Sequence, residues 1–241
     1  MAEAFRENVV ILTGASDGIG REMALQLADQ GAWLALAARD ASKLEAVAAE
    51  CRARGGRAVA VPTDVADEAR CRALVERTVA EYGRVDTLVN NAGISMWARL
   101  DEVADLAPFQ RMMQVNYFGS LYCTHAALPH LRARGAGWVI NISSLAGRNP
   151  FAGGAAYCAS KAALNSFSES LMLEVRHDNI RVSTIMPGSV ATGFGGPGGS
   201  GDGDWKIAPQ DIADIVLDLV TFPQRSLPSR IEIRPSRPPR K

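Results

Sequence analysis

The stretch Thr13–Gly20, TGASDGIG, decides the fold of this 241-residue chain. It follows a short apolar run, Asn8–Leu12, and leads into Ile19–Gln30, which has the apolar spacing of a helix and ends at a glycine. Glycines at such a turn let the backbone bend sharply and let a phosphate approach it closely. The free N–H groups at the start of the helix then face that phosphate. The stretch predicts a phosphate-binding turn rather than a plain structural one.

Further apolar and β-branched runs follow, each preceded by a helical pattern. The predicted strands are Trp33–Ala38, Arg57–Pro62, Thr87–Asn90, Gly137–Ile142 and Ile180–Met186. Their nearly continuous apolar character is typical of strands covered on both faces, and hence of a parallel sheet. The alternation predicts a single α/β domain over residues 1–241: a doubly wound, Rossmann-like parallel sheet of about seven strands with helices on both faces.

Several segments receive predicted boundaries from local signals. A helix is predicted over Ser42–Arg54, opened by a capping box of Ser42 and Glu45. The segments Asp105–Arg132 and Gly154–Arg176 are predicted as long helices. The glycine-rich stretch 191–206 is irregular, and we interpret it as a flexible lid over the substrate, with a disordered loop as the alternative. The basic, proline-interleaved end from residue 230 predicts a frayed terminus, with the tail itself at about 234–241.

Composition excludes several classes of protein. Apolar residues make up 47% of the chain, which argues against disorder, and Lys plus Arg (26) balances Asp plus Glu (26), so no basic field recruits nucleic acid or anionic lipid. No apolar run reaches the roughly 18–20 residues of a membrane helix, and the first residues lack the pattern of a signal peptide. The four cysteines form no CxxC pair. We therefore expect a cytoplasmic protein without a metal site.

Tyr157 and Lys161 lie four residues apart in a helical segment of small residues. This spacing puts both side chains on one face of the helix, one turn apart. A nearby ammonium group favours the phenolate, and so lowers the pKa of a tyrosine from its ordinary value of about 10. Such a phenol suits proton transfer to a carbonyl oxygen. By itself the pair is compatible with a purely structural role, so its meaning depends on the other motifs.

Together the motifs resemble those of the short-chain dehydrogenase/reductase family, from Val9 to about Thr221. The family's order and approximate spacing are matched by Gly14-x-x-x-Gly18-x-Gly20, Asp64-Val65, Asn90–Gly93, Asn116, Ser144, Tyr157-x-x-x-Lys161 and Pro187-Gly188. The short, single-domain branch, including the 3-oxoacyl carrier-protein reductases, is the most similar. The resemblance implies an oxidoreductase that transfers hydride between a nicotinamide cofactor and a carbonyl or secondary alcohol. It also implies a homodimer or homotetramer.

The resemblance assigns four catalytic residues. Tyr157 is the acid/base, and Lys161 acts beside it. Ser144, thirteen residues before Tyr157, bonds the carbonyl oxygen, whereas its neighbour Ser143 is interpreted as structural. Asn116 holds a water that links Lys161 to solvent, although a buried amide that ties the helix to the backbone is compatible with that role.

The resemblance also assigns the cofactor contacts, with Asp64 and Val65 at the adenine and Val190 and Thr192 at the nicotinamide carboxamide. The full set is Gly14, Ser16, Asp17, Gly18, Ile19, Gly20, Arg39, Asp64, Val65, Asn91, Ala92, Gly93, Tyr157, Lys161, Pro187, Gly188, Val190 and Thr192. Two members have alternative roles. Asp64 is also a candidate cap for the helix that begins near Asp67, and Asn91 a candidate brace for the sheet.

The end of the second strand bears on the choice between NADP and NAD. An acid there would bond a ribose 2′-hydroxyl, and an arginine would accept a 2′-phosphate. The chain has Ala38 at the position of the acid and Arg39 at that of the arginine, which favours NADP. Two residues argue against NADP. Family members that use NADP often have a second basic residue in the glycine turn, where this chain has Asp17. Asp40 can turn onto the ribose, although it is equally compatible with turning the chain into the following helix.

The substrate is expected between the strand ends and the lid. Its predicted lining is Ser95, Met96, Trp97, Leu145, Arg148, Phe151 and Phe194. This mainly apolar set favours an acyl, steroid-like or aryl ketone over a sugar. The alternative function is a non-catalytic NADP-binding sensor on the same fold, which would be expected to lack the catalytic serine, tyrosine or lysine. A sugar-nucleotide epimerase of the longer branch would need a substrate domain after Thr192.

Overall fold

The computed structural model describes residues 5–194 and 203–239. Its centre is a seven-stranded sheet in the order β3-β2-β1-β4-β5-β6-β7, in which every neighbouring pair is parallel. The strands are β1 Val9–Thr13, β2 Trp33–Ala38, β3 Arg57–Pro62, β4 Thr87–Asn90, β5 Gly137–Ile142, β6 Ile180–Pro187 and β7 Arg230–Ile233. The order reverses between β1 and β4, where open α/β sheets bind ligands. The predicted fold class is confirmed.

In the described part of the chain, seven α-helices cover the sheet on both faces. They are α1 Gly18–Asp29, α2 Ala41–Ala53, α3 Glu68–Tyr82, α4 Ala107–Met113, α5 Gly119–Arg134, α6 Ala155–Val175 and α7 Pro209–Leu219. Strand side chains alternate between the two layers. Leu12 faces one core with buried side chains of α1, α2 and α7, whereas Ile11 faces the other with those of α3, α5 and α6. Each central strand is therefore buried on both faces.

The start of α2 differs from the prediction. Its cap is Asp40, whose Oδ1 accepts from the backbone N of Lys43 at 3.0 Å, so the capping box at Ser42 is wrong. Glu45 instead pairs with Arg52 at 2.6 Å. Asp40 is the cap because it directly precedes Ala41, the first residue of α2, and its carboxylate reaches the first free N–H groups of the helix.

The segment Asp105–Arg132 is not one uniform α-helix. Between α4 and α5 lies a five-residue π-helical segment, Gln114–Phe118, that contains the buried Asn116. Such wide turns insert an extra residue into a helix and are frequent at functional sites. The other long predicted helix agrees with α6 to within a residue at each end.

The end of the chain also differs from the prediction. Its basic residues read as a frayed terminus, yet Arg230–Ile233 forms β7, which pairs with β6 from Thr184 to Pro187. The charged Arg230 and Glu232 alternate with isoleucines, as is usual for an exposed edge strand. Residues 240–241 lie outside the described part.

The predicted lid, 191–206, is described only in part, because residues 195–202 lie outside the described ranges. Its two ends meet in a bridge between Val190 and Ile207, in which Ala191 N donates to Ile207 O at 2.9 Å. Within residues 5–194 and 203–239, no helix combines the length and apolarity needed to cross a membrane.

We predict that Leu36→Ala lowers the free energy of unfolding by about 3 kcal/mol, because it leaves a cavity beneath a fully buried strand. Leu100→Ala is the matched control, since Leu100 is 65% exposed and its removal should change stability by less than about 0.5 kcal/mol. Urea denaturation followed by circular dichroism measures both values. Equal effects of the two substitutions would contradict the two-layer core.

Candidate active site

A cavity of about 1150 Å³ lies at the carboxyl ends of the strands, across the point where the strand order reverses. Every residue predicted to bind the cofactor lines it. Of the four predicted catalytic residues, Ser144, Tyr157 and Lys161 also line it, whereas Asn116 lies behind its wall. The tertiary structure thus brings together motifs that are far apart in the sequence.

The glycine turn has a shape that side chains would prevent. Gly14 and Gly18 adopt φ values of +68° and +52°, in the left-handed region that favours glycine. A Cβ on Gly20 would lie only 2.0 Å from the carbonyl oxygen of Gly14. Asp17 caps α1 by accepting from Gly18 N at 2.7 Å. The open backbone and the start of α1 fit the pyrophosphate of a dinucleotide.

Asn91 and Thr13 tie this turn to the end of β4. The side-chain amide of Asn91 donates to the carbonyl oxygens of Thr13 and Gly14, at 3.0 and 3.1 Å. In return the Thr13 hydroxyl accepts from the backbone N of Asn91 and of Ala92, both at 3.0 Å. Asn91 is therefore the brace that the sequence suggested, and it lines the cavity as well.

The cavity end beside β2 carries two basic side chains. Arg39 was predicted there, and Lys43 from the first turn of α2 joins it. The nearby carboxylates of Asp17 and Asp40 both accept backbone hydrogen bonds at the starts of helices. Sequence reasoning missed Lys43, although its i+4 spacing from Arg39 at a helix start was a usable signal.

Asp64 is held ionised on the cavity wall. Partial burial acts to raise the pKa of Asp64, but the hydrogen bonds from Arg111 and from Ala66 N outweigh it and hold the pKa below its ordinary value. Arg111 approaches Asp64 Oδ2 to 2.5 Å, a contact that the sequence did not reveal. The cap of α3 is Asp67, so the alternative role of Asp64 as that cap is wrong.

Tyr157 and Lys161 project from the first turns of α6 and are 7% and 3% exposed. Burial raises the pKa of Tyr157 to about 12, and the hydrogen bond with Ser144 opposes this only in part. The predicted lowering of this pKa by Lys161 is therefore not seen. The Lys161 ammonium lies 6.0 Å from the centre of the Tyr157 ring, and Nζ donates to Ile142 O at 2.9 Å. Tyr157 is a protonated phenol at neutral pH.

Burial has the opposite effect on the lysine, lowering the pKa of Lys161 to about 8. Gly93 lies beside this lysine, and an added side-chain carbon would make ordinary van der Waals contacts. A Cβ there would lie 3.7 Å from Lys161 Nζ and 3.5 Å from Asn116 Oδ1. Lys161 can therefore gain or lose its proton near neutral pH.

Both polar atoms of the Asn116 side chain make hydrogen bonds to neighbouring segments. Its Nδ2 donates to Ile94 O and to Ser160 Oγ, both at 2.9 Å, and its Oδ1 accepts from Ile94 N at 2.8 Å. The π-helical segment thereby connects the loop after β4 to α6. This agrees with the structural role suggested for Asn116, and any role in a proton relay falls to its backbone.

Ser144 and Ser143 make different hydrogen bonds. Ser144 begins a short 3₁₀ turn, where its Oγ accepts from Ala146 N at 3.1 Å beside Tyr157. The Ser143 hydroxyl instead donates to Asn165 Oδ1 on α6 at 2.6 Å. Both serines line the cavity, so the structural interpretation of Ser143 is supported by its bond to α6 and stays a prediction.

The chain matches the family model described as short chain dehydrogenase over residues 8–200. It belongs to the short-chain dehydrogenase/reductase family. An uncharacterized oxidoreductase of Staphylococcus saprophyticus is 34% identical to it over 237 residues, which are 95% of this chain and 98% of that relative. The protein is accordingly an NAD(P)-dependent oxidoreductase.

Solved structures of the family are similar over nearly the whole chain. A metagenomic short-chain oxidoreductase in complex with NADP is 36% identical, with a TM-score of 0.86 and coverage of 98% of this chain and 100% of that one. An alcohol dehydrogenase from Thermococcus sibiricus, complexed with 5-hydroxy-NADP, is 28% identical with a TM-score of 0.87, covering 97% and 99%. A 3-ketoacyl-ACP reductase from Sinorhizobium meliloti is 30% identical with a TM-score of 0.85, covering 94% and 97%.

The substrate side of this short-chain dehydrogenase agrees with the prediction in part. Of the predicted lining, Ser95, Trp97, Leu145, Phe151 and Phe194 line the cavity. Met96 and Arg148 are not part of the lining, and Arg148 pairs with Glu232 of β7 instead. Asn149 and Arg234 line the cavity without having been predicted. Arg234 was missed because the end of the chain was read as a frayed tail.

We predict that replacing Lys161 removes a pH dependence of stability. The ordinary pKa of a lysine is 10.5, and burial lowers the pKa of Lys161 to about 8 in the folded protein, so between these values the unfolded chain binds more protons than the folded one. The free energy of unfolding should therefore rise with pH in this window, by about 1.4 kcal/mol per pH unit.

The Lys161→Met variant lacks this titration. We expect it to be more stable than the wild type at pH 7, with the difference shrinking by about 2 kcal/mol between pH 7 and pH 9.5. Urea denaturation of both proteins without cofactor measures this. A difference that stays constant with pH would show that Lys161 is not buried in this way.

Proposed function

We propose that this protein is an NADP-dependent oxidoreductase that transfers hydride between the nicotinamide and a carbonyl or secondary alcohol, with Tyr157 as the acid/base. One observation carries the proposal. The buried Tyr157 lines the same cavity as Ser144 and the glycine turn, and Lys161 lies one helical turn away.

The cofactor would be held along the strand ends. The glycine turn and α1 would bind the pyrophosphate, and Asp64 and Val65 would meet the adenine. Pro187, Gly188, Val190 and Thr192 would hold the nicotinamide end. Thr192 lies close to the turn, since a Cβ on Gly18 would be 3.3 Å from Thr192 Cγ2. The residues thus fit an extended dinucleotide.

The preference for NADP is supported by the charge beside β2. Arg39 and Lys43 place two cations where a 2′-phosphate would lie, and Ala38 presents no carboxylate. The carboxylates that argued against NADP, Asp17 and Asp40, are engaged as helix caps. A phosphate gains charge-assisted hydrogen bonds here that a ribose hydroxyl would not.

In the direction of reduction, a bound nicotinamide cofactor supplies the hydride that reaches the carbonyl carbon. The Ser144 hydroxyl donates a hydrogen bond to the carbonyl oxygen and stabilises the negative charge that develops on it. The Tyr157 hydroxyl, protonated because of its raised pKa, gives its proton to that oxygen. In the direction of oxidation, the Tyr157 oxygen accepts the proton of the alcohol.

Lys161 would restore the proton of Tyr157. Its ammonium lies beside the Tyr157 ring, and its pKa of about 8 suits proton exchange near neutral pH. By family resemblance, a water bound at Asn116 would connect Lys161 to solvent. Because both polar atoms of the Asn116 side chain are already engaged, its backbone carbonyl would bind that water.

Three further expectations remain predictions. The stretch 191–206, of which residues 195–202 lie outside the described ranges, stays a predicted lid over the substrate, and the protein is expected to be cytoplasmic. It would also form a homodimer or homotetramer, which the exposed Phe118 beside α5 and the exposed Leu173 on α6 support. The convergence of Ser144, Tyr157 and Lys161 on one cavity favours an enzyme over a sensor.

We predict that Tyr157→Phe lowers kcat/KM for NADPH-dependent carbonyl reduction by about 10²–10⁴-fold, because it removes the transferred proton and keeps the ring. NADPH affinity, measured by fluorescence titration, should change little. Tyr122→Phe on α5, outside the cavity, is the matched control. If Tyr157→Phe keeps the kcat/KM of the wild type, the acid/base assignment is refuted.

We predict that Arg39→Ala raises the KM for NADPH by about tenfold or more, because a charge-assisted phosphate contact is lost, and leaves the KM for NADH nearly unchanged. Lys43→Ala should act in the same direction. Arg72→Ala, on the exposed surface of α3, is the control. Equal changes in the KM for NADPH and for NADH would contradict the assignment of Arg39 to the phosphate.

A further inference from the structure

Three aromatic side chains from separate segments form a cluster with Tyr157, two in contact with its ring and the third in contact with Trp97. Trp97, from the loop after β4, packs edge-on against the Tyr157 ring, with centroids 5.0 Å apart and an interplanar angle of 83°. Phe151, from the loop before α6, lies 5.3 Å from Trp97. Phe194, after β6, lies 6.0 Å from Tyr157. We call Trp97, Phe151 and Phe194 the aromatic wall.

Backbone contacts hold two members of the aromatic wall in place. Next to Trp97, Ala98 N donates to Gly153 O at 2.9 Å and joins the two loops. The Phe151 ring packs on Gly154, where a Cβ would lie 2.6 Å from the ring. Any larger residue at position 154 would displace Phe151. The loops that carry Trp97 and Phe151 therefore fix the positions of these two rings.

Each ring keeps part of its surface open. Trp97, Phe151 and Phe194 are 38%, 48% and 37% exposed, and all three line the cavity that contains the Tyr157 hydroxyl. Single exposed aromatic residues are ordinary on a protein surface. Three that converge on one reactive group form an apolar surface of the kind that ligands cover.

We propose, on the basis of the proposed function, that the aromatic wall selects substrates whose reacting carbonyl is attached to a planar aromatic ring. The rings are tilted to one another by 55–83° and so present both faces and edges to the cavity. Aromatic pairs prefer offset or edge-to-face contacts with centroids 4.5–7 Å apart. A flat ring beside the carbonyl can make several such contacts at once.

Rigidity separates this class from a flexible acyl chain. An acyl chain loses the freedom of several rotatable bonds on binding, whereas an aryl ring directly on the carbonyl loses almost none. The wall lies immediately around Tyr157, so the group that it recognises is adjacent to the reacting carbon. A steroid-like ketone is also rigid, but it has no aromatic ring attached to the reacting carbonyl. Among the acyl, steroid-like and aryl ketones that the sequence allowed, the geometry therefore points to the aryl class.

A pair of matched ketones tests this selection. Acetophenone and cyclohexyl methyl ketone share one carbon skeleton and differ in the planarity and aromaticity of the ring. We expect Trp97→Leu to lower the ratio of kcat/KM for acetophenone to that for cyclohexyl methyl ketone by about tenfold, mainly through KM, and Trp97→Phe to keep the ratio within about threefold. Intrinsic reactivity cancels because the ratio is compared between variants.

Two further variants complete the test. Phe151→Leu should lower the same ratio, and it replaces Trp97→Leu if thermal unfolding shows that protein to be misfolded. Phe222→Leu removes an exposed ring outside the cavity and should leave the ratio unchanged. If the wild type reduces both ketones but no wall variant changes the ratio, the inference fails and the proposed function stands. If the wild type reduces neither these ketones nor small aliphatic aldehydes, both fail.

Discussion

The hydrogen bonds between Thr13 and the Asn91-Ala92 backbone hold the rest of the site together. They join the end of β1 to the end of β4, where the strand order reverses and a crevice must open. The Asn91 amide closes the loop by binding the carbonyl of Gly14. Because the glycine turn has no side chains that clash with this arrangement, α1 can begin directly at the crevice. The positions of both the cofactor side and the catalytic side of the cavity therefore depend on these hydrogen bonds.

A second layer of buried polar contacts sets the depth of α6. Asn90 donates to Asn141 across the sheet, and Asn141 donates to Ser168 of α6, both at 2.8 Å. Asn116 reaches α6 through Ser160. These bonds are costly to leave unmade in a dry interior, so they fix the helix in one position. Tyr157 and Lys161 are consequently presented to the cavity from a rigid support.

Several parts of the site were readable in the sequence because local chemistry dictates them. The glycine turn, the strand ends and the spacing of Tyr157 and Lys161 each depend on neighbouring residues in the chain. Long-range contacts were not readable. The ion pair of Arg111 with Asp64 joins residues far apart in the chain. β7 has only four residues in a basic, proline-interleaved end, whose composition favoured a frayed terminus over the short alternation of charged and apolar residues. For this reason the sequence did not predict that Arg234 lines the cavity.

By itself the sequence determined the family, the parallel sheet and the residues that meet at its carboxyl edge, since periodicity and motif spacing are local properties. Only the tertiary structure decided their electrostatics. Burial raises the pKa of Tyr157 to about 12 and lowers that of Lys161 to about 8, the reverse of what their sequence spacing alone suggested for the tyrosine. It also placed Trp97, Phe151 and Phe194 in the cavity that Tyr157 lines. Desolvation and ring packing depend on which segments fold over a group, and no stretch of sequence contains that information.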